Sequence, residues 1–260
     1  MVLWHQIRPY LSTAVRFLHI SYIEAKNEHS GTRLGLLWTP LSSLIFSALL
    51  ALVFRHSDSV SVADYFLYVF CGYIFWGFVS DSLTGSTELI QSRLDFAIHN
   101  NLSLAGLFAK TLVDRLLKYF LNLIVLVVLI LIFRPSDITL GAALFPAFLA
   151  LIIVTSLGAA YLTNILTIFY PDLKTAVKVG VRFMFFASPV FWSVETTHGT
   201  RALLSHYNPL AHYLAVSRQV FGIQPLEPFA WTVVVTISCV VALAGYVAYV
   251  KSQRFVRNFK

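Results

Sequence analysis

The sequence predicts an all-α integral membrane protein of six transmembrane helices with an amphipathic segment at its N-terminus. Three observations predict it. The 260 residues are 58% hydrophobic and only 12% charged, against about 25% charged in soluble domains. Six apolar stretches lie near the roughly 20 residues that a helix needs to cross a hydrocarbon core of about 30 Å. Lysine and arginine alternate in density from one connection to the next, as they do when the basic side is retained in the cytoplasm. A mean hydropathy of +0.75 leaves most side chains facing something other than water, which excludes a soluble enzyme and a disordered chain. The net charge of +7 is spread among apolar runs and forms no basic block that could track phosphates, so nucleic acid is not a partner. Cys71 and Cys239 both lie in apolar runs and read as small hydrophobes rather than a disulfide.

Residues 1–33 form a cytoplasmic N-terminal segment. It holds Arg8, Arg16, His19, Lys26 and Arg33 and no apolar run before Leu34, so a cleavable signal peptide does not fit. Leu11, Val15, Leu18, Tyr22 and Ala25 recur at helical spacing, an amphipathic stripe suited to a membrane surface or to a neighbouring helix. The transmembrane domain, 34–250, has its spans at 34–54, 63–80, 116–133, 141–169, 177–194 and 229–250. The fourth carries Pro146, Gly158 and Asn164 and is expected to tilt, kink or project. The fifth holds Arg182 near its start, where the side chain can snorkel.

Two connections are long. In 81–115 the residues Lys110 and Asp114, with Lys118 beyond, are spaced by four and read as a solvated, salt-bridged helix face. In the outer stretch 195–228, Asn208 is a natural N-cap, Pro209 suits the first helical position and Gly222 a stop. The helix between them is mostly apolar and too short to span, which marks a re-entrant or interfacial element. Residues 251–260 are a basic tail. With the N-terminus inside, 15 of the 19 basic residues fall on the cytoplasmic side. The outer side keeps Arg55, Arg134, Arg201 and Arg218, and both termini are cytoplasmic. Trp231, Tyr246 and Tyr249 suit the interfacial belts of the last span.

No catalytic or metal-binding signature is present: HExxH, GxSxG, CxxC and Walker A are all absent, and the six-residue spacing of His206 and His212 is a poor basis for a metal site. If ATP is used, another chain binds it. Asp64, Asp81, Lys118 and Arg182 lie near span ends, so the span centres carry no charge, which argues against an ion-coupled carrier or a membrane-embedded enzyme. The spans are instead rich in aromatic rings, Phe66, Phe70, Tyr73, Phe75 and Trp76 in the second and Phe183, Phe185, Phe186, Phe191 and Trp192 in the fifth.

The runs "GTRLGLLWTPL", "YPDLKTAVK", "ASPVFW" and "YNPLAHYLAVSRQVFG" occur in that order around the spans. Together they resemble the membrane permease subunit of bacterial ABC exporters for capsular polysaccharide and lipopolysaccharide O-antigen. The resemblance covers nearly the whole chain. It implies a homodimeric permease of the bacterial inner membrane that joins two ATPase subunits and exports a lipid-linked polysaccharide from the cytoplasm. ATP and Mg would sit on the partner subunit, with no cofactor and no catalytic residue in this chain. It also implies an interface helix over 9–30, an ATPase-coupling element around Arg93, Asp95 and Phe96, and short re-entrant helices over 200–222. The family's conduit is lined largely by the first and fifth spans, which selects Phe46, Phe183, Phe186, Phe191 and Trp192. Within the superfamily, the cargo could instead be another amphiphile such as teichoic acid, a drug or a lipid. Phe183 and Phe186 are three apart and share a helix face, Phe185 points elsewhere toward lipid or a neighbouring helix, and a break at Pro189 re-aims Phe191 and Trp192.

Single cysteines at Ser57, Ser136 and Thr197 should be labelled from outside whole cells by a membrane-impermeant maleimide, and those at Ser92 and Ser252 only after lysis. Labelling of Ser92 from outside would overturn the topology.

Overall fold

Capping residues set where several of the helices begin. Ser61 Oγ accepts from Asp64 N at 3.1 Å, Ser103 Oγ from Gly106 N at 3.1 Å, and Asn208 Oδ1 from Leu210 N at 3.0 Å, each satisfying an orphan donor of a first turn. The computed structural model describes residues 2–55, 60–134, 140–193 and 199–257, and no strand occurs among them. Leu11, Ser57, Ser136, Thr197, Arg201 and the tail beyond Ser252 lie outside the side chains so described. The helices are α1 (Val2–Glu28), α2 (Trp38–Phe54), α3 (Val62–Thr84), α4 (Leu89–His99), α5 (Leu104–Phe133), α6 (Phe145–Phe169), α7 (Leu173–Ala187), α8 (Thr200–Tyr207), α9 (Pro209–Val220) and α10 (Pro228–Arg257).

Five stretches are long and apolar enough to cross a membrane: Gly35–Phe54, Val62–Thr84, Leu104–Phe133, Gly141–Phe169 and Pro228–Ser252. The chain is a membrane protein. The expected fifth crossing, 177–194, takes a different form. Its helix α7 has 15 residues, about 22 Å at 1.5 Å per residue. It stops because Ser188 precedes Pro189 and turns extended, with φ −102° and ψ 148°. Pro146 makes no kink in α6, since it occupies the first turn, where a missing N–H costs nothing. The third crossing starts at Leu104 rather than 116, because Ser103 caps it there.

α3 is the hub of the core. Leu67, Val69, Phe70, Ile74, Phe75 and Phe78 are buried among α2, α5, α6, α7 and α9. α6 and α10 cross at Gly158 and Gly245, where the backbones meet. A Cβ on Gly158 would lie 2.6 Å from Val241 O, and one on Gly245 2.6 Å from Gly158 Cα, so only glycine fits either position. α1 packs on α5, but not through the stripe expected from the sequence. Phe17, Ser21 and Ala25 are buried, whereas Val15, Leu18 and Tyr22 stay on the protein surface. The neighbour takes one face of α1, and the apolar stripe is left for another medium.

The charge count places Arg218 on the outer side of the membrane and says nothing of its burial. On α9 it is 1% exposed. Its Nε donates to Tyr68 O at 3.2 Å, and its Nη2 donates to Pro189 O at 2.7 Å and Val190 O at 3.1 Å. The guanidinium carbon lies 3.5 Å from the centroid of the Tyr68 ring, within cation–π range. Room for it exists because residue 72 is glycine, whose Cβ would collide with Nη2 and approach Val190 O to 3.1 Å. A flat, weakly hydrated guanidinium tolerates such a site better than an ammonium does.

Replacing Arg218 with Met would strand the two non-helical carbonyls of Pro189 and Val190, and each unsatisfied group costs about 1–3 kcal/mol. The variant should lose at least about 2 kcal/mol of stability, read as a lower melting temperature of the detergent-purified protein. Arg218→Lys should recover only part of this loss, because an ammonium cannot reproduce the planar fork. Full stability in Arg218→Met would show that water reaches the site.

Candidate functional site

Two assemblies of side chains occupy opposite ends of the helical bundle. The first begins where α7 breaks. Six consecutive residues, 187–192, leave the helical ladder, and the carbonyl of each finds a donor. Asn208 Nδ2 donates to Ala187 O at 3.2 Å and to Ser188 Oγ at 2.8 Å. Val190 N donates to Ser188 O at 2.7 Å, and Arg218 takes Pro189 and Val190. Tyr65 OH donates to Phe191 O, and Tyr68 OH donates to Trp192 O at 3.1 Å. α3 and α9 thus fix the outlet of α7 without any charge pair at its carbonyls.

A chain of rings runs beside this break. Phe46 of α2 meets Tyr73 of α3 at a centroid distance of 5.0 Å, and Tyr73 meets Phe185 at 6.5 Å. Phe185 meets Phe186 at 5.3 Å and Phe191 at 5.5 Å, and Phe191 meets Phe54 at 4.5 Å. The sequence candidates Phe46, Phe186 and Phe191 therefore come together through Tyr73, Phe54 and Phe185, which the sequence did not select. The available signal was the i, i+3 spacing of Tyr73 and Trp76 on α3, both of which meet Phe185. Phe183 and Phe186 are 65% and 66% exposed on one face of α7, while Phe185 packs between Tyr73 and Trp76 of α3. Phe191 is buried within the protomer, and Trp192 is half-buried, its Nε1 3.4 Å from Phe186 O. Phe183 also borders an apolar cavity of about 370 Å³ with Leu203, Tyr207 and Pro209.

The second assembly lies around α4. Arg93, Asp95 and Phe96 sit on this helix, which is kinked at Arg93, φ −121° and ψ 17°. Arg93 and Phe96 turn inward. Arg93 Nη1 is 3.5 Å from Glu24 of α1 and 3.8 Å from Asp114 of α5, and the Phe96 ring lies 5.4 Å from Lys110 Nζ. Asp95 remains exposed. Lys110, expected on a solvated face, is fully buried between Glu24 and Asp114. The flanking Lys118 pairs with Glu28 at 2.9 Å. Lys174 of α7, from the run "YPDLKTAVK", pairs with Glu88 at the start of α4. Gln91 of α4 accepts from Asn164 Nδ2 of α6 at 3.1 Å. No group of three or more metal-ligating side chains occurs among the described residues.

A model of the ABC-2 type transporter family matches residues 24–222, from the acidic turn of α1 to the glycine that ends α9. The chain belongs to that family. As an ABC-2 type transporter protein it is a transport component rather than an enzyme. It is 24% identical over 200 residues, 76% of each chain, to the O-antigen export system permease protein RfbA of Myxococcus xanthus. Two proteins of the same description from Klebsiella pneumoniae are 19% and 20% identical, again over 76% of each chain. The matched region of this ABC-2 protein contains both side-chain assemblies.

The ring contacts separate structural from surface aromatics. Phe185→Ala should destabilise the ABC-2 protein by about 1–3 kcal/mol, less than the cost of emptying a fully buried phenylalanine site because Phe185 is partly buried, seen as a drop in membrane abundance and melting temperature. Phe183→Ala, at an exposed position, should leave both within error of the parent protein.

Proposed function

We propose that this chain is the permease subunit of an ATP-driven exporter, moving a lipid-linked polysaccharide of capsule or O-antigen type across the bacterial inner membrane. The observation that carries the reading is the aromatic face of α7, Phe183 and Phe186, left open on the protomer surface in a member of a transporter family whose relatives are named for O-antigen export. Two copies of the chain form the conduit, with Phe46, Phe183, Phe186, Phe191 and Trp192 along it. α7 and the break after it make the fifth of six crossings, and α8 and α9 re-enter from the outer leaflet. Both termini and α4 are cytoplasmic. Two ATPase subunits bind ATP and Mg and dock at α4 through Asp95, with Arg93 and Phe96 behind it.

Aromatic rings suit this cargo. A sugar presents C–H groups on its faces and hydroxyls on its edge, so a ring can contact it broadly without holding any one hydroxyl. Shallow contact permits repeated stepping. An outward apolar stripe on α1, Val15, Leu18 and Tyr22, supports seating in the inner leaflet. The ion pair from Lys174 to Glu88 links the conduit helix to the coupling helix.

Removing the chain from its own bacterium should abolish surface polysaccharide and accumulate lipid-linked polymer inside, both visible on gels of fractionated cells. Complementation with Phe183→Ala or Phe186→Ala should slow the appearance of surface polymer at normal permease abundance and with ATPase still bound. Phe185→Leu, which conserves most of the buried volume, should export normally for the amount of protein present. Undiminished surface polymer in the deletion strain would transfer the assignment to export of another amphiphile.

A further inference from the structure

Around α4, four charges from three helices close into a ring. Lys110 Nζ pairs with Glu24 of α1 and stands 2.9 Å from both carboxylate oxygens of Asp114. Arg93 of α4 reaches the same two carboxylates, at 3.5 and 3.8 Å. Two cations and two anions make the set neutral around a lysine side chain with 0% exposure, while Arg93 and Glu24 keep 40% and 37% of their surface open. Phe96 covers it, within cation–π reach of both Lys110, at 5.4 Å, and Arg93, at 6.0 Å. The kink in α4 falls at Arg93 itself, the residue by which this helix enters the ring.

Each carboxylate is shared between a cation on α5 and one on α4, so α4 cannot shift alone without leaving Glu24 and Asp114 short of a partner. Buried ionic sets lose far more when one member is removed than they contribute intact. We propose that this ring is the joint that makes α1, α4 and α5 move as one body when the ATPase acts on α4, with Lys110 as its positioning residue. The inference rests on the exporter reading above. Lys110 touches neither polymer nor nucleotide; its part is to transmit displacement.

The test uses the complete complex of permease and ATPase, with ATP hydrolysis measured in proteoliposomes and surface polymer measured in the parent bacterium. Lys110→Met keeps the length of the side chain and removes one charge. It should reduce export at least tenfold while the purified complex still hydrolyses ATP within about twofold of the parent. Lys110→Arg keeps a cation between Glu24 and Asp114 and should retain at least a third of the parent's export. If Lys110→Met fails to accumulate, Glu24→Gln carries the test, because Glu24 is 37% exposed and its loss leaves the fold less disturbed. It should show the same separation of export from hydrolysis. Normal export in the neutral variants overturns the joint, as does a parallel fall of export and hydrolysis, which would make the ring a docking or folding element. Failure of the exporter reading looks different: export would then persist in the parent strain when the ATPase is inactivated.

Discussion

A carbonyl oxygen sealed away from water must find a donor inside the protein, and the stretch from Ala187, the last residue of α7, to Trp192 has six of them beyond the reach of the helical ladder. Most of the fold around α3 and α9 follows from meeting that demand. Tyr65 and Tyr68 sit one helical turn apart on α3 so that two hydroxyls reach successive carbonyls. Gly72, one further turn along, is bare so that Arg218 can lie against the same face. Asn208 serves twice, its Oδ1 capping α9 and its Nδ2 binding Ala187 O, which ties the start of one helix to the end of another. The aromatic face of α7 can be left open because its outlet is held so completely.

Charge is used differently at the two ends. Near the break, Arg218 is satisfied by neutral carbonyls and a π face. Around α4, cations and carboxylates are matched one to one. The first arrangement is directional and leaves little freedom. The second ties three helices together, because each carboxylate is shared between a cation on α5 and one on α4. The pair of Asp64 and Arg134, at 2.6 Å, joins the start of α3 to the end of α5 and is only half-buried, so it contributes on the modest scale of surface pairs, about 0–1 kcal/mol.

The helical class and most of the spans were legible because they depend on quantities that survive projection onto one dimension: run length, capping residues and charge density. Asn208, Pro209 and Gly222 marked α9 because caps are local. Lys110 was misplaced for the opposite reason. An i, i+4 charge pattern assumes that the pair faces water, and this side chain instead turns into the protein toward Glu24, 86 residues away in the chain, as Arg218 turns toward carbonyls 28 to 150 residues away. The stripe on α1 left a membrane surface and a neighbouring helix both open, and of its described residues only Ala25 is buried. Apolar periodicity shows that a helix has two sides, but not which side a protein neighbour takes when that neighbour offers lysines and the other medium offers hydrocarbon. At the candidate conduit, the three-residue spacing of Phe183 and Phe186 was visible, whereas the ring contacts of Tyr73, Phe54 and Phe185 required three helices to be brought together.

The crossing of α6 and α10 at Gly158 and Gly245 has a mechanical meaning. Where two backbones touch there is no side chain between them to compress, rotate or exchange rotamers. Sliding either helix would drive a carbonyl or a Cα into its neighbour. Such a crossing resists sliding, so α6 and α10 behave as one rigid pair. α2 and α7, by contrast, present bulky side chains such as Leu49, Leu52, Phe183 and Phe186 to their surroundings.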